Sequence, residues 1–295
     1  MWQKDYLFSI VVLITVVLGI WLPIGVIWEP FFVPLLGILM FLTCLKITSS
    51  DLKTSLIDFK PVIIICFLVF GLMPLLASLT SFLPPMFFVG IVLIFSSPSA
   101  VLIPFFAKIL GGKPSFSLVI IFLTSLLSIV LLPLILSSVV GYIVEVDAFN
   151  IIKNLIKLIL IPLIVASLCR RFFSEKIKKL NTTNFSLFLM FFLVWGLISL
   201  GMKDMTPFQF IEISYVVLIL LLVGYLAGWL AGKKINREYG ITMALLTGSR
   251  NYTLAMVVGL TAFGAQVLPP IIAYIVIQNL SLIPLQILLK GKRDL

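Results

Sequence analysis

The chain has 295 residues, of which 62% are hydrophobic and 11% are charged, and its formal net charge is +10. A soluble domain is about half apolar and about a quarter charged, so this composition excludes a soluble globular protein. The sequence contains no histidine, which excludes imidazole proton relays and histidine-ligated metal sites. Cys44, Cys66 and Cys169 lie in apolar contexts without metal-ligand spacing, and they are predicted to be buried thiols.

Apolar blocks follow one another along the chain, each about as long as the ~20 residues that cross the hydrocarbon of a bilayer. They predict an all-α, polytopic membrane protein with ten transmembrane helices. The first block lacks a small-residue cleavage site and is predicted to be a span, not a secretory signal. In chain order, the ten predicted helices cover residues 6–22, 30–47, 61–83, 86–110, 115–142, 151–169, 184–201, 208–231, 239–263 and 268–289.

The basic residues predict the orientation of these helices. Seventeen of the 21 Lys and Arg residues fall on the side of the N-terminus, and Lys153, Lys157 and Lys203 fall on the other side. The remaining one, Arg250, lies within the ninth predicted helix. By the positive-inside rule, both termini are predicted to be cytoplasmic in a cell membrane. This distribution of Lys and Arg residues also accounts for the net positive charge of the chain, so no nucleic-acid partner is expected.

Ten helices divide into two sets of five, residues 1–143 and 144–295, with the division in the loop 144–148. Because each set has an odd number of helices, the two sets enter the membrane from opposite sides. Inverted repeats of this kind are common in secondary transporters.

The fourth helix of each set is interrupted. The first reads FSSPSAVLIPFFAKILGG (95–112), with Pro98 and Pro104 in one apolar block, and the second reads LLTGSRNYTLAMVVGLTAFG (245–264). Proline removes a backbone donor and clashes with the preceding turn, and glycine in a helix interior is less favourable than alanine by ~1 kcal/mol. Paired interruptions at corresponding positions predict a binding site between broken helices. Ordinary kinks are the simpler alternative.

Five segments match, in order and spacing, motifs of one transporter family. LLGILMFLTCLKITSSDLK (35–53) is similar to its second helix and following loop, and AKILGGKPSFSL (107–118) to the turn between its fourth and fifth helices. IPLIVASLCRRFF (161–173) is similar to the end of its sixth helix. GSRNYTLA (248–255) stands where its ninth helix has a Gly-x-Gln-Asn-type motif, and QNLS (278–281) is similar to a polar patch in its tenth. On these segments, the chain resembles the bile acid:sodium symporter family.

The resemblance implies a core domain of helices three to five and eight to ten, in which the unwound fourth and ninth helices cross. A panel domain of helices one, two, six and seven would move against it. The resemblance also implies sodium ligands on the third, fourth, fifth and ninth helices. Of the corresponding positions, Ser117 retains a liganding side chain, alongside Asn251 of the ninth-helix motif; the others are Val69, Ile103, Pro104, Ile121, Leu246 and Arg250. These departures argue against sodium coupling at that site.

Arg250 is the most informative of these residues, because a charge within the bilayer is costly and usually faces the protein interior. Its guanidinium either binds an anionic substrate directly or acts as a tethered cation that holds the crossing together; an orientation toward lipid is the third alternative. Glu212 and Ser117 are candidates for ion coupling, although Glu212 also suits a snorkelling interfacial residue. The predicted companions of Arg250 at the crossing are Ser97, Pro98, Ser99, Pro104, Thr247, Ser249, Asn251, Gln278 and Asn279.

The leading functional hypothesis is a sodium-independent secondary transporter of small organic anions, acting by alternating access in the lipid bilayer. A sodium symporter with backbone ligands, an auxin-efflux-type carrier and a sensor that binds without transporting remain alternatives. An enzyme is not expected, since the spans contain no histidine and no carboxylate pair. No cofactor or metal is expected, and both a monomer and a homodimer remain open.

Overall fold

The protein is described from a computed structural model, which gives the backbone of residues 3–45, 59–179, 183–203 and 205–290. These residues form helices joined by short turns, with one isolated pair of extended residues and no sheet. The α-helices are α1 (Gln3–Trp21), α2 (Phe32–Cys44), α3 (Phe59–Phe67), α4 (Met73–Ser78), α5 (Pro85–Ser96), α6 (Ile103–Leu110), α7 (Pro114–Val140), α8 (Ala148–Leu155), α9 (Ile161–Lys179), α10 (Thr183–Gly201), α11 (Pro207–Lys233), α12 (Arg237–Gly248), α13 (Tyr252–Phe263) and α14 (Leu268–Lys290).

Every predicted apolar segment contains helix, and six helical stretches of the described chain are long and apolar enough to cross a membrane. They are Pro23–Cys44, Phe59–Ser78, Pro114–Val140, Ala148–Phe173, Pro207–Lys233 and Ala265–Leu282. Large apolar side chains also cover the outer surface; Phe208, for example, is 77% exposed. An exterior of this kind suits contact with lipid. The chain is therefore a multi-pass, all-helical membrane protein, and its count of ten spans remains a prediction.

Cys44, Cys66 and Cys169 are free thiols that are half-buried, so the prediction of buried thiols was wrong. An apolar neighbourhood does not distinguish the protein core from a lipid-facing surface, because both are apolar. Some of the basic residues behind the predicted orientation lie outside the described residues, among them Lys46, Lys53, Lys292 and Arg293.

Two five-residue π-helical segments, called π-turns below, connect α-helices, and each has a proline two residues after its end. Leu68–Leu72 joins α3 to α4 before Pro74, and Ile156–Leu160 joins α8 to α9 before Pro162. In the first turn the Met73 N–H bonds to the Leu68 carbonyl, whereas α-helical geometry would direct it to the Val69 carbonyl. Pro74 has no N–H to replace it. The local chain therefore leaves the Val69 carbonyl available for a partner elsewhere.

Three glycines at four-residue spacing bring α11 close to α12. A Cβ at Gly228 would lie 2.7 Å from Ala244 Cα, and a Cβ at Gly232 would lie 2.8 Å from Gly240 Cα. Gly224 approaches Gly248 in the same way. Small residues at this spacing let the backbones of membrane helices pack against each other. The packing fixes the position of α12, whose C-terminal end carries the second interruption.

Each of the two interrupted helices extends through both hydrophobic clusters of the interior. Residues of α5 and α13, such as Phe95 and Leu254, belong to one cluster. Residues of α6 and α12, such as Phe106 and Leu246, belong to the other. Because α5 ends and α13 begins at the interruptions, the two broken helices run in opposite directions and meet between the clusters.

Replacing Gly228 by Ala is expected to lower stability by about 1–3 kcal/mol, because the added methyl group would overlap the backbone at Met243 and Ala244. Thermal unfolding of the detergent-purified protein measures this change. Gly37→Ala is the matched control: a Cβ there has no neighbour within 4 Å, and its effect should be neutral or slightly stabilising. Equal melting temperatures for the two variants would contradict the close approach of α11 and α12.

Candidate functional site at the paired helix breaks

Proline sets the first break. The residue before a proline is disfavoured in α-helical conformation, and Ser97 is extended, with φ −69° and ψ 153°. The chain resumes helical structure at α6, where Pro104 lies in the first turn. Proline is tolerated there because the N–H it lacks has no partner within the helix. Pro98 therefore interrupts the helix, whereas Pro104 helps to restart it.

The second break contains no proline and depends on capping. After Gly248, Ser249 is extended, with φ −94° and ψ 115°. The Asn251 side chain then caps α13, its Oδ1 accepting the Leu254 N–H at 3.1 Å. Thr253 donates its hydroxyl to the same oxygen at 2.9 Å. Asparagine is among the best N-cap residues because its side chain competes with the helical backbone.

The two breaks pair with each other as a minimal antiparallel ladder, with Ser99 opposite Arg250. The Ala100 N–H donates to the Ser249 carbonyl at 2.9 Å, and the Asn251 N–H donates to the Pro98 carbonyl at 2.8 Å. Backbone groups that leave a helix in an apolar interior need other partners. Here, each break supplies partners for the other.

Two side chains complete this pairing. The Tyr274 hydroxyl of α14 accepts the Arg250 N–H and donates to the Gly248 carbonyl, both at 2.6 Å. The Ser99 hydroxyl donates to the Leu246 carbonyl at 2.8 Å. Tyr274 and Arg250 both have no exposed surface, so bulk water does not replace the hydrogen bonds between them.

Arg250 is fully buried at this crossing. Its Nη1 donates to the Ser97 carbonyl at 3.3 Å and to the Val69 carbonyl at 3.5 Å. Its Nε and Nη2 atoms have no hydrogen-bond partner among the described residues, and no carboxylate of that part of the chain pairs with it. The guanidinium thus joins the second break to the first break and to the π-turn, with its charge uncompensated.

A cavity of about 60 Å³ adjoins the crossing. Its wall includes the polar residues Arg250 and Gln278 and the apolar residues Phe106 and Met190. Its other lining residues are Ala100, Val101, Leu102, Ile103, Ser249, Asn251, Tyr252 and Thr253. One water molecule needs about 10–15 Å³ of such space, so the cavity is large enough for a small polar group.

Most of the predicted companions of Arg250 are buried at the crossing or on α14. The Ser97 hydroxyl donates back to the Leu93 carbonyl, and the Ser249 hydroxyl lies 3.2 Å from the Tyr225 hydroxyl. Asn279 uses its Nδ2 on the Ile275 carbonyl. Four buried side-chain oxygens in this region have no donor among the described residues: Ser96 Oγ, Thr247 Oγ1, Gln278 Oε1 and Asn279 Oδ1.

The two predicted coupling residues are placed differently. Ser117 is buried near the start of α7, where its hydroxyl donates to the Pro114 carbonyl at 2.7 Å. Glu212 lies on an exposed surface of α11. Neither lines the cavity beside Arg250, and their part in coupling stays a prediction.

Sequence analysis missed Tyr274 and Tyr225. Both tyrosines lie in long apolar blocks, where aromatic residues are expected as bulk or as interfacial anchors. No local signal distinguishes Tyr274, since its partners are 24 and 26 positions away. The GYLAGWLAG repeat (224–232) is a recognisable signal for the close packing of α11 and could have been found.

A helical membrane protein with paired interruptions and a buried polar centre has the general form of a transporter. A family model described as the Sodium Bile acid symporter family matches residues 33–208. The match covers more than half of the chain, and the chain belongs to this family of transporters. The matched range ends at the start of α11, so Arg250 lies beyond it. No curated protein matches the chain.

Replacing Tyr274 by Phe is expected to lower stability by about 1–3 kcal/mol, because the Arg250 N–H and the Gly248 carbonyl lose a buried partner. Thermal unfolding in detergent measures the loss. Tyr215→Phe is the control, since the Tyr215 side chain is exposed on the surface of α11. A Tyr274 variant as stable as the Tyr215 variant would mean that the hydroxyl bridge contributes nothing to the break.

Proposed function

We propose that this protein is a secondary transporter of small organic anions that operates without sodium, with the charge of Arg250 in the place of a bound cation. The observation that carries the proposal is the uncompensated guanidinium between the two helix breaks. A buried, unpaired cation is unfavourable by several kcal/mol. An anion at the crossing would offset that charge, and its binding would need no additional cation.

The contacts of Arg250 support this assignment. The resemblance to the bile acid:sodium symporter family implies sodium ligands on the third, fourth, fifth and ninth helices. In this chain, Arg250 of the ninth helix donates to the carbonyls of Ser97 in the fourth and Val69 in the third. Ile103, Pro104, Ile121 and Leu246 supply no oxygen from their side chains. The positive charge of Arg250 therefore lies among the helices that would otherwise bind a sodium ion.

The helix ends at the crossing have a suitable polarity. The Ser97 carbonyl lies at the C-terminal end of α5, which carries partial negative charge and favours the guanidinium. The N-terminal ends of α6 and α13 begin at the breaks, and their partial positive charge favours an anion. The Arg250 side chain and the N-termini of α6 and α13 thus both contribute positive potential at the crossing.

The proposed architecture is that of ten spans in two inverted repeats, residues 1–143 and 144–295. The connection from α7 to α8 contains the proposed division. The panel domain would move against the core domain, so that the crossing is exposed alternately to either side of the membrane.

A sodium symporter of the same family is the second candidate. Ser96 Oγ, Thr247 Oγ1, Gln278 Oε1 and Asn279 Oδ1 are buried without a donor among the described residues, and oxygens without donors favour a cation. The fixed charge of Arg250 argues against this candidate, because it would repel sodium from the crossing.

Thermal stability in sodium and in potassium, with a panel of organic acids, separates the two candidates. We expect sodium alone to leave the melting temperature unchanged and an acid to raise it equally in both salts, by mass action. Stabilisation by sodium, together with a sodium requirement for acid binding, would favour the symporter.

The variant Arg250→Met tests the role of the charge. Removal of a buried charge that has no counter-ion is favourable, whereas loss of the donor to the Ser97 and Val69 carbonyls is unfavourable. We expect the two effects to offset each other, so that the variant without ligand is about as stable as the wild type and has lost the response to acids. Reduced stability with an intact response would instead assign Arg250 a purely structural role.

Reporter fusions test the proposed orientation. A fluorescent protein fused after residue 295 should fluoresce, because it folds in the cytoplasm, and alkaline phosphatase inserted at residue 146 should be active outside. The reverse pattern would contradict the orientation inferred from the basic residues.

A further inference from the structure

Basic residues from two separate parts of the chain lie together at one end of α6, α7, α11 and α12. One part is the connection from α6 to α7, with Lys108 in the last turn of α6 and Lys113 directly before α7. The other is the turn from α11 to α12, which begins at Lys233 and ends at Arg237. We call these residues the basic cluster; its members are Lys108, Lys113, Lys233, Lys234 and Arg237.

Contacts to the first turns of α12 hold the two parts of the basic cluster together. The Lys113 N–H donates to the Thr242 hydroxyl at 2.7 Å, and the Lys113 ammonium lies 4.1 Å from the centre of the Tyr239 ring. A Cβ at Gly240 would lie 3.2 Å from the Lys233 backbone nitrogen, so α11 ends against the same part of α12. The packed backbone therefore keeps these charges close to each other.

The spanning helices place the basic cluster at the membrane surface. The apolar stretch Pro114–Val140 begins directly after Lys113, and the stretch Pro207–Lys233 ends within the cluster. Both stretches are long enough to cross the hydrocarbon. Residues at their ends therefore lie at the level of the lipid headgroups.

Exposed apolar side chains adjoin the charges. Phe105, three residues before Lys108 on α6, is 40% exposed, and Ile235, next to Lys234, is 43% exposed. Residues three apart on a helix share a face, so Phe105 and Lys108 have the same surroundings. A free anion contacts the charges alone, whereas a lipid brings a charged headgroup and apolar chains together. This combination favours a lipid over a soluble anion.

The positive charge of the basic cluster exceeds the negative charge near it in the chain. Glu238 is the single carboxylate of the segments 105–116 and 231–242. The positive-inside rule accounts for basic residues on this side of the membrane without any ligand. It does not require them to converge from separate segments beside exposed apolar side chains. Converging Lys and Arg side chains at headgroup level suit a phosphate group.

We propose that the basic cluster binds the phosphate headgroup of an anionic phospholipid, with the acyl chains beside the neighbouring exposed apolar residues. The bound lipid joins the C-terminal end of α6 to the N-terminal end of α12. The other ends of these two helices lie at the helix breaks, so the lipid stabilises both interrupted helices from the membrane surface. The cluster is separate from Arg250, and the inference does not depend on the proposed substrate or coupling.

Thermal unfolding of the detergent-purified protein tests the lipid class. The probes are phosphatidylglycerol and phosphatidylcholine with identical acyl chains, and glycerol 3-phosphate and inorganic phosphate as anions without chains. We expect saturable stabilisation by phosphatidylglycerol that weakens as the salt concentration rises. We expect no stabilisation by the two soluble anions and less by phosphatidylcholine.

A pair of double variants tests the location. Lys234→Gln/Arg237→Gln removes two exposed charges of the basic cluster, and Lys153→Gln/Lys203→Gln removes two exposed charges near the opposite ends of α7 and α11. We expect the affinity for phosphatidylglycerol to fall about tenfold or more in the first variant and to stay unchanged in the second. Equal losses in the two variants would overturn the inference, because net charge would then account for the binding.

The wild-type measurements decide the matter even if the cluster variant does not fold. Equal stabilisation by phosphatidylcholine would mean that the acyl chains alone act, and equal stabilisation by glycerol 3-phosphate or phosphate would assign the cluster to a free anion. Either result would overturn the inference, as would the absence of stabilisation by phosphatidylglycerol. All of these outcomes leave the proposed transport function untouched, since none involves the crossing.

Discussion

The buried guanidinium of Arg250 lies where the two interrupted helices meet, and much of the surrounding structure accommodates its positive charge. Arg250 reaches two carbonyl oxygens, and each is available for a local reason. The Ser97 carbonyl ends α5 because Pro98 stops the helix. The Val69 carbonyl is left over by a π-turn that precedes Pro74. Pro98 and Pro74, in different parts of the chain, thus each leave a backbone carbonyl free to accept a hydrogen bond from Arg250.

The crossing is held by interactions that do not depend on this charge. The backbone ladder between the breaks and the Tyr274 hydroxyl satisfy groups that the helices release. The helical segments before and after each break continue into two hydrophobic clusters, one on either side of the crossing. Neutral contacts thus hold the two breaks together without a contribution from the charge of Arg250.

Membership of the sodium bile acid symporter family defines the class of transporter without defining its coupling. The matched region contains the first break and ends before the second. Of the positions at which the resemblance implies sodium ligands, Ile103 and Pro104 lie within that region, and Leu246 and Arg250 lie beyond it. A fold that places broken helix ends together can compensate an anion with a bound ion or with a fixed side chain. The choice depends on a few residues at the crossing.

The helical membrane class and the two interruptions were predictable from residues close together in sequence. Apolar blocks of membrane-spanning length and the effect of Pro98 on its neighbours are local properties. The prediction that Arg250 belongs with the polar residues of the breaks used the same kind of signal, and the structure places it opposite Ser99. The assignment of its function remains a proposal.

The partners of Arg250 were not predictable in this way. Val69 lies 181 positions from Arg250 and Ser97 lies 153 positions away, and neither contributes a polar side-chain atom to the contact. A backbone carbonyl leaves no signature in residue type, and Tyr274 resembles any other aromatic residue in an apolar block. The sequence by itself determined the membrane class, the positions of the breaks and the presence of a charge in one of them. Only the tertiary structure decided which groups meet that charge, because propensity and periodicity act over a few residues whereas packing joins residues far apart in the chain.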